Sequence, residues 1–218
     1  VALITGSSSG IGFGIAKELN SEGCQVVLNG RNSKKLESSV ASLSNSFGVE
    51  GDFTNPEDAL RVVKSAISAF GKLDILHSHA GYQIEGNLEQ VSIEGMDLSW
   101  KLNVRSHFIA SRAVLGHMRK QGGGSVIITA SNSGIQFDKE MIAYATSKHA
   151  VVAMTRQMAA DYAKENIRFN ALCPGFIDTP FNAGFEKQMG GRAKLENYIS
   201  NTIPMGRWGT TKEEDGDE

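Results

Sequence analysis

The stretch TGSSSGIG at positions 5–12 constrains this chain more than any other, because it joins an apolar run of strand length, VALIT, to an amphipathic stretch opening near Ile11. Gly6, Gly10 and Gly12 let the chain turn sharply, approach a pyrophosphate closely and pack the next helix on the strand. The helix N-terminus then points its free N–H groups at that phosphate. A glycine-rich turn alone is a weak signal, but strand, turn and helix in this order describe a nucleotide site. The lysine of a phosphate-cradling P-loop is missing, which argues against an NTPase.

The alternation continues along the chain. After VALIT and a helix over 11–22 come QVVLNG and 33–45, GVEGDF and 56–70, LDILHSHA and a helix near 94–120, GSVIITAS and 141–164, and last IRFNALCPG. Six β-rich runs separated by helices predict an α/β fold, a doubly wound parallel sheet of the Rossmann kind. No repeat or low-complexity linker interrupts it, so residues 1–218 read as one domain. A formal net charge of -2 offers no electrostatic footprint for nucleic acid or an anionic membrane. No apolar run approaches the roughly 20 residues of a membrane span, and VALITG reads as a buried strand rather than a signal peptide, so a cytoplasmic protein is expected. Cys24 and Cys173 sit in apolar runs and read as core thiols.

Further along, AYATSKHA places Tyr144 four residues ahead of Lys148, one turn apart on a single helix face. The spacing is common and fits equally well a half-buried tyrosine beside a solvated lysine. Its surroundings narrow the choice. SVIITASNSG places Ser131 13 residues before Tyr144, KLNVRSHF holds Asn103 in a helix, and NALCPGFIDTP carries a Pro-Gly turn after the sixth strand. With T-G-x(3)-G-x-G, these motifs make the chain similar to the short-chain dehydrogenase/reductase family, from Val1 to about Gly209.

The resemblance implies an NAD(P)-dependent oxidoreductase interconverting a secondary alcohol and a ketone. Tyr144 would be the general acid/base, and Lys148 would lower its pKa from the ordinary value of about 10. Ser131 would orient the substrate oxygen, and Asn103 would bind a water that passes protons from Lys148 to solvent. Cofactor contacts are implied for Gly6, Ser9, Gly10, Ile11 and Gly12, for Asp52 and Phe53, and for Ala80 and Gly81. Pro174, Gly175, Ile177 and Thr179 would contribute from the sixth strand, and Tyr144 and Lys148 would also touch the cofactor. A homotetramer or homodimer is implied as well. A nucleotide-sensing binding protein on the same fold stays open as the alternative, although such proteins tend to lack the tyrosine and lysine.

The second strand discriminates between cofactors. An NAD site usually presents an acid about 20 residues after the glycine turn to bind a ribose 2′-hydroxyl. Gly30 stands there instead, 18 residues past Gly12, with Arg31 beside it. NADP(H) is favoured because a guanidinium pairs with a 2′-phosphate through its planar fork. NAD(H) remains the alternative, with Arg31 a surface charge and Phe13 where a second basic residue often stands.

Residues 176–205, rich in aromatic residues and glycine, would form a substrate lid over a mostly apolar ligand. Tyr82, Asn132, Gln136, Phe176 and Phe181 are expected to contact substrate, with Ile84 and Phe137 lining the same cleft. Where the family shows Asn-Asn-Ala-Gly, this chain reads Ser78-His79-Ala80-Gly81. His77 and His79 lack a third ligand, so no metal is expected and His79 reads as a structural hydrogen-bond donor or acceptor. Family members continue into a further helix and a seventh strand. Either the chain stops short of these, or DGDE at 215–218 is a remnant of that strand; the second reading is preferred, since a missing edge strand bares its neighbour.

Overall fold

A computed structural model describes residues 1–211 and 213. Six strands, β1 (Ala2–Ile4), β2 (Val26–Gly30), β3 (Ser46–Glu50), β4 (Ile75–Ser78), β5 (Gly124–Thr129) and β6 (Ile167–Leu172), form one sheet. Every pairing is parallel and the order is β3-β2-β1-β4-β5-β6. The expected doubly wound sheet is therefore present. The chain winds outward from β1 to β3 and returns to start again at β4. This reversal opens a crevice beyond the carboxyl ends of β1 and β4.

Alternating side chains build a core on each face of the sheet. Leu3, Val27 and Leu76 join Val62 and Val63 of α3 (Pro56–Phe70) and Val114 and Met118 of α5 (Ser106–Gln121). Ala2, Ile4, Val26 and Leu28 pack on Ile15 and Ala16 of α1 (Gly10–Ser21) and Leu36 of α2 (Ser33–Ala41). Fully buried β-branched and leucine side chains on both faces explain why these strands read as unbroken apolar runs.

Several boundaries differ from the sequence reading. The second helix ends at Ala41 rather than near 45, because the Ser46 hydroxyl donates to the Val40 and Leu43 carbonyls and Asn45 turns left-handed at φ 48. β4 occupies only four residues of LDILHSHA, leaving His79 to Gly81 as loop beside the crevice. The single helix expected near 94–120 is α4 (Ile93–Trp100), a wide π turn over Lys101–Arg105 and α5 in unbroken succession. Asn103 lies inside that π turn, a feature often found at functional sites.

α6 (Ile142–Tyr162) carries Tyr144 and Lys148. Residues 176–205 hold α7 (Ala183–Gln188) and α8 (Arg192–Thr202), whose Phe185, Leu195 and Ile199 cluster with Met141 and Tyr144. Residues 215–218, read above as a strand remnant, lie outside the described residues. Among the described residues no helix is long and apolar enough to cross a membrane. Cys24 and Cys173 are half-buried free thiols.

Candidate active site

A cleft of about 1130 Å³ fills the crevice at the carboxyl ends of the strands. Its phosphate end is made by the turn after β1. Gly6 and Gly10 adopt φ +68 and +60, a left-handed backbone that disfavours other residues. A Cβ on Gly6 would stand 3.0 Å from Ala80 Cα, whereas the space beside Gly10 is open. Ser9 precedes α1 in extended conformation and its side chain makes no cap bond, so the first-turn amides keep their capacity for an anion. The cradle thus fits a dinucleotide phosphate. Gly12 does not line the cleft, contrary to its expected contact. It lies behind the turn, where a Cβ would come 2.7 Å from the Gly6 carbonyl oxygen and 2.8 Å from His79 Cδ2.

The neighbouring strand ends complete this half. Asn29 is buried and donates to the Val49 and Gly51 carbonyls at 3.0 and 3.2 Å, fixing the ends of β2 and β3 together. The Asp52 carboxylate accepts the Thr54 N–H at 2.8 Å, and Asp52 and Phe53 border the cleft with Arg31. Gly30 packs on Ser8, whose Oγ would stand 2.9 Å from an added Cβ. Ser9, Ile11, Ala80, Gly81, Pro174, Gly175, Ile177 and Thr179 all line the cleft.

At the other end Ser131, Tyr144 and Lys148 converge, each under 10% exposed. Gly134 makes the convergence possible: a Cβ there would meet the Lys148 carbonyl oxygen at 2.7 Å, so the turn after β5 lies directly on α6. The Ser131 hydroxyl donates to Asn132 Oδ1 at 3.0 Å. Lys148 Nζ donates to the Thr129 carbonyl at 2.9 Å and stands 5.6 Å from the centre of the Tyr144 ring.

Asn103 is placed differently from the expectation. Fully buried and outside the cleft lining, it accepts the Tyr82 N–H and donates to the Tyr82 carbonyl, both at 2.8 Å. Its amide also donates to Ser147 Oγ at 3.0 Å and Ser99 Oγ at 3.2 Å. Those bonds commit its side-chain hydrogens to clamping the loop after β4. Of the expected substrate residues, Tyr82, Asn132, Phe176 and Phe181 line the cleft. Gln136 does not: the turn closed by its N–H on the Asn132 carbonyl sends it to the surface. Ile84 lies outside the lining too, while Phe137 belongs to it and stacks on His149 with ring centres 5.2 Å apart.

The lid is held at its base. Arg192 of α8 pairs with both oxygens of Asp178 at 2.8 Å, bonds Glu196 at 2.8 Å and lies 4.6 Å over the Trp208 ring. Asp178 N–H donates to the Gly209 carbonyl at 3.0 Å, and Gly209 N–H to the Phe176 carbonyl at 2.8 Å, so the two ends of the lid meet.

A profile of the short chain dehydrogenase family matches residues 1–190. The chain belongs to that family. An uncharacterised oxidoreductase of Thermotoga maritima is 35% identical over 216 residues, covering 98% of this chain and 86% of its own. Dehydrogenase/reductase SDR family member 4 of Oryctolagus cuniculus is 35% identical over 204 residues, 91% of this chain and 77% of its own. Among solved structures, levodione reductase superposes with TM-score 0.95 at 31% identity over 99% of this chain and 87% of its own. The actinorhodin polyketide ketoreductase with NADPH gives 0.93 at 27% identity, over 97% and 85%.

In this short-chain oxidoreductase, electrostatics at the catalytic end correct one expectation. Tyr144 is pushed up to about 12 by burial; the Ser131 hydroxyl opposes this, and the Asp138 carboxylate adds to it. Lys148 is not what sets it. The ammonium is turned toward the Thr129 carbonyl, and burial pulls its own value down to about 8, partly offset by the Cys173 sulfur. Desolvation therefore outweighs the neighbouring cation.

Asp138, which accepts the Ser133 hydroxyl at 2.6 Å, was not singled out by the sequence; nor was Thr5, whose Oγ1 accepts the His79 and Ala80 N–H groups at 2.9 and 3.1 Å. A polar residue at the carboxyl end of β1 was the available signal for Thr5. Asp138 had none, since its contact depends on a turn. His77 and His79 both bond Thr129 Oγ1, and among the described residues no group of three His, Cys, Asp or Glu is placed to hold a metal.

Proposed function

We propose that this chain interconverts a ketone and a secondary alcohol, with Tyr144 as proton donor and acceptor at the substrate oxygen. The observation carrying this reading is a buried phenol that lines the cleft together with Ser131 and with Lys148, whose Nζ stands 5.6 Å from the ring centre. A nicotinamide cofactor supplies or accepts the hydride. Negative charge then develops on the substrate oxygen, and a neutral phenol beside it gives up its proton; positioned transfer of this kind contributes roughly 100- to 10,000-fold. Ser131 orients that oxygen. Lys148, charged at neutral pH, stands between the Thr129 carbonyl and the cleft, where it favours the phenolate formed by the transfer. Asn103 positions the Tyr82 loop.

The glycine turn, the α1 N-terminus, Asp52, Phe53, Ala80, Gly81 and the 174–179 segment would hold the cofactor. Both nicotinamide dinucleotides occur among the structural neighbours. The actinorhodin polyketide ketoreductase is solved with NADPH, and a 3-ketoacyl-(acyl-carrier-protein) reductase from Brucella melitensis, TM-score 0.90, 29% identical over 99% of this chain and 87% of its own, is complexed with NADH. In this chain Gly30 offers no carboxylate and Arg31 makes no ion pair among the described residues, which favours NADP(H) over NAD(H). Residues 176–205 act as a lid whose Phe176, Phe181, Phe185, Met189 and Tyr198 face the cleft, fitting a cyclic or otherwise apolar substrate. Leu98, Trp100 and Phe108, each over 40% exposed on α4 and α5, support assembly into a homodimer or homotetramer, checked by light scattering.

Titrating NADPH and NADH separately, then screening apolar ketones and alcohols by nicotinamide absorbance, tests the reading. NADPH should bind more tightly, and the preference should weaken in Arg31→Ala. Tight NADH binding with no NADPH binding would overturn the cofactor assignment, and turnover of Tyr144→Phe at the parent rate would overturn the mechanism.

A further inference from the structure

Two histidines share one hydroxyl beneath the cofactor half of the cleft. Thr129 Oγ1 lies 2.9 Å from His77 Nε2 and 3.0 Å from His79 Nδ1. A hydroxyl has one hydrogen and two lone pairs, so it donates to at most one of the two rings, and among the described residues these rings are its only partners. Burial keeps both rings neutral, His77 at about 4 and His79 at about 3, the latter pressed down further by His77 and Lys148. When that hydrogen goes to one ring, the other donates to the oxygen, and the two are held in complementary tautomers.

Their surroundings differ. His77 is sealed in the sheet, whereas His79 is half-buried and lines the cleft. The Cδ2–Nε2 edge of the ring lies against the start of α1: the position of a Gly12 Cβ is 2.8 Å from His79 Cδ2, the atom bonded to Nε2. Nε2 itself has no hydrogen-bond partner among the described residues. The backbone beneath it is fixed, since the His79 and Ala80 N–H groups both donate to Thr5 Oγ1. When Thr129 donates to His79 Nδ1, the ring proton sits on Nε2, and that edge becomes an N–H donor beside the first turn of α1.

We propose that His79 is a cofactor-binding residue of this chain, its Nε2–H donating to a phosphate oxygen of the dinucleotide held at the glycine turn. This rests on the nicotinamide reading above. It gives the residue a role separate from bracing β4 on β5, which Nδ1 performs alone. A phosphate also selects one tautomer of the pair, because a bare Nε2 lone pair would repel it.

The two nitrogens can be tested apart. An asparagine amide reaches about as far as Nδ1 and a glutamine amide about as far as Nε2, so His79→Asn retains the Thr129 bond and His79→Gln retains the cleft donor. Dissociation constants for NADPH, NADH and ADP-ribose, which carries the pyrophosphate without nicotinamide, would be measured calorimetrically beside Tm. His79→Asn should bind all three roughly tenfold more weakly with little change in Tm, as expected for loss of a hydrogen bond to an anion. His79→Gln should bind within about twofold of the parent and melt lower. Parent-like affinity in His79→Asn, or equal weakening in both variants, would overturn the assignment. Failure of the parent to bind either dinucleotide would instead overturn the cofactor reading.

Discussion

The two ends of the cleft are built from different materials. The phosphate end is backbone: a left-handed glycine turn, open helix amides and strand ends stitched by Thr5 and Asn29. The catalytic end is side chain: a buried phenol, an ammonium and a roof of aromatic rings. Backbone recognises what every dinucleotide shares, and at that end Gly6 and Gly12 leave no room for an added Cβ. Side chains recognise what differs among substrates, and that end is held by bonds that can be changed one at a time.

The largest expected effect breaks the catalytic end without touching the other. Tyr144→Phe should lower kcat roughly 100- to 10,000-fold while leaving the cofactor dissociation constant within about twofold. Steady-state kinetics beside calorimetry would show the split; equal loss of both would mean that the two ends are not separable.

Lys148→Met comes next and should sacrifice activity for stability. Burial holds the lysine at about 8 against an ordinary 10.5, so between these values the unfolded chain binds more protons and stability rises with pH. Keeping the charge buried at neutral pH costs on the order of 3 kcal/mol. The variant should therefore melt higher than the parent at pH 7 and lose that advantage above about pH 10.5. An unchanged Tm at pH 7 would show that the Thr129 carbonyl compensates the ammonium fully.

Gly12→Ala probes the tolerance of the phosphate end. Its methyl group would meet the Gly6 carbonyl oxygen at 2.7 Å, backbone that has no room to yield, so a loss of about 1–3 kcal/mol is expected in urea unfolding. The smallest effect is expected at Arg192→Ala. Its pairs with Asp178 and Glu196 are about half exposed, so solvent screens them and their loss should change stability little. Substrate KM should rise severalfold through a looser lid, with cofactor affinity unchanged.

Legibility in the sequence followed the same division. The doubly wound parallel sheet and the glycine turn could be read because strand and helix periodicity encode them, whereas the grouping of Ser131, Tyr144 and Lys148 was implied by the resemblance to the short-chain family. Gln136 was misplaced and Asp138 overlooked because a turn after β5 decides which side chains face inward, and periodicity says nothing about turns. Gly12 was read as a cofactor contact and Asn103 as a water-binding residue; the packing of Gly12 on Gly6 and the bonds of Asn103 to Tyr82, Ser99 and Ser147 became visible only once their neighbours were known. The direction of the Tyr144 shift needed the depth of burial, which the spacing of a tyrosine and a lysine does not encode.

The meeting of Phe176 and Asp178 with Gly209 has a consequence for how such a chain can diverge. Because the lid leaves and rejoins the body at adjacent points, the intervening residues form a cassette. Its length and composition can be exchanged while the junction, the strand ends and the dinucleotide cradle keep their places. With residues 176–205 acting as the proposed substrate lid, new selectivity would be grafted by replacing one continuous segment of the gene.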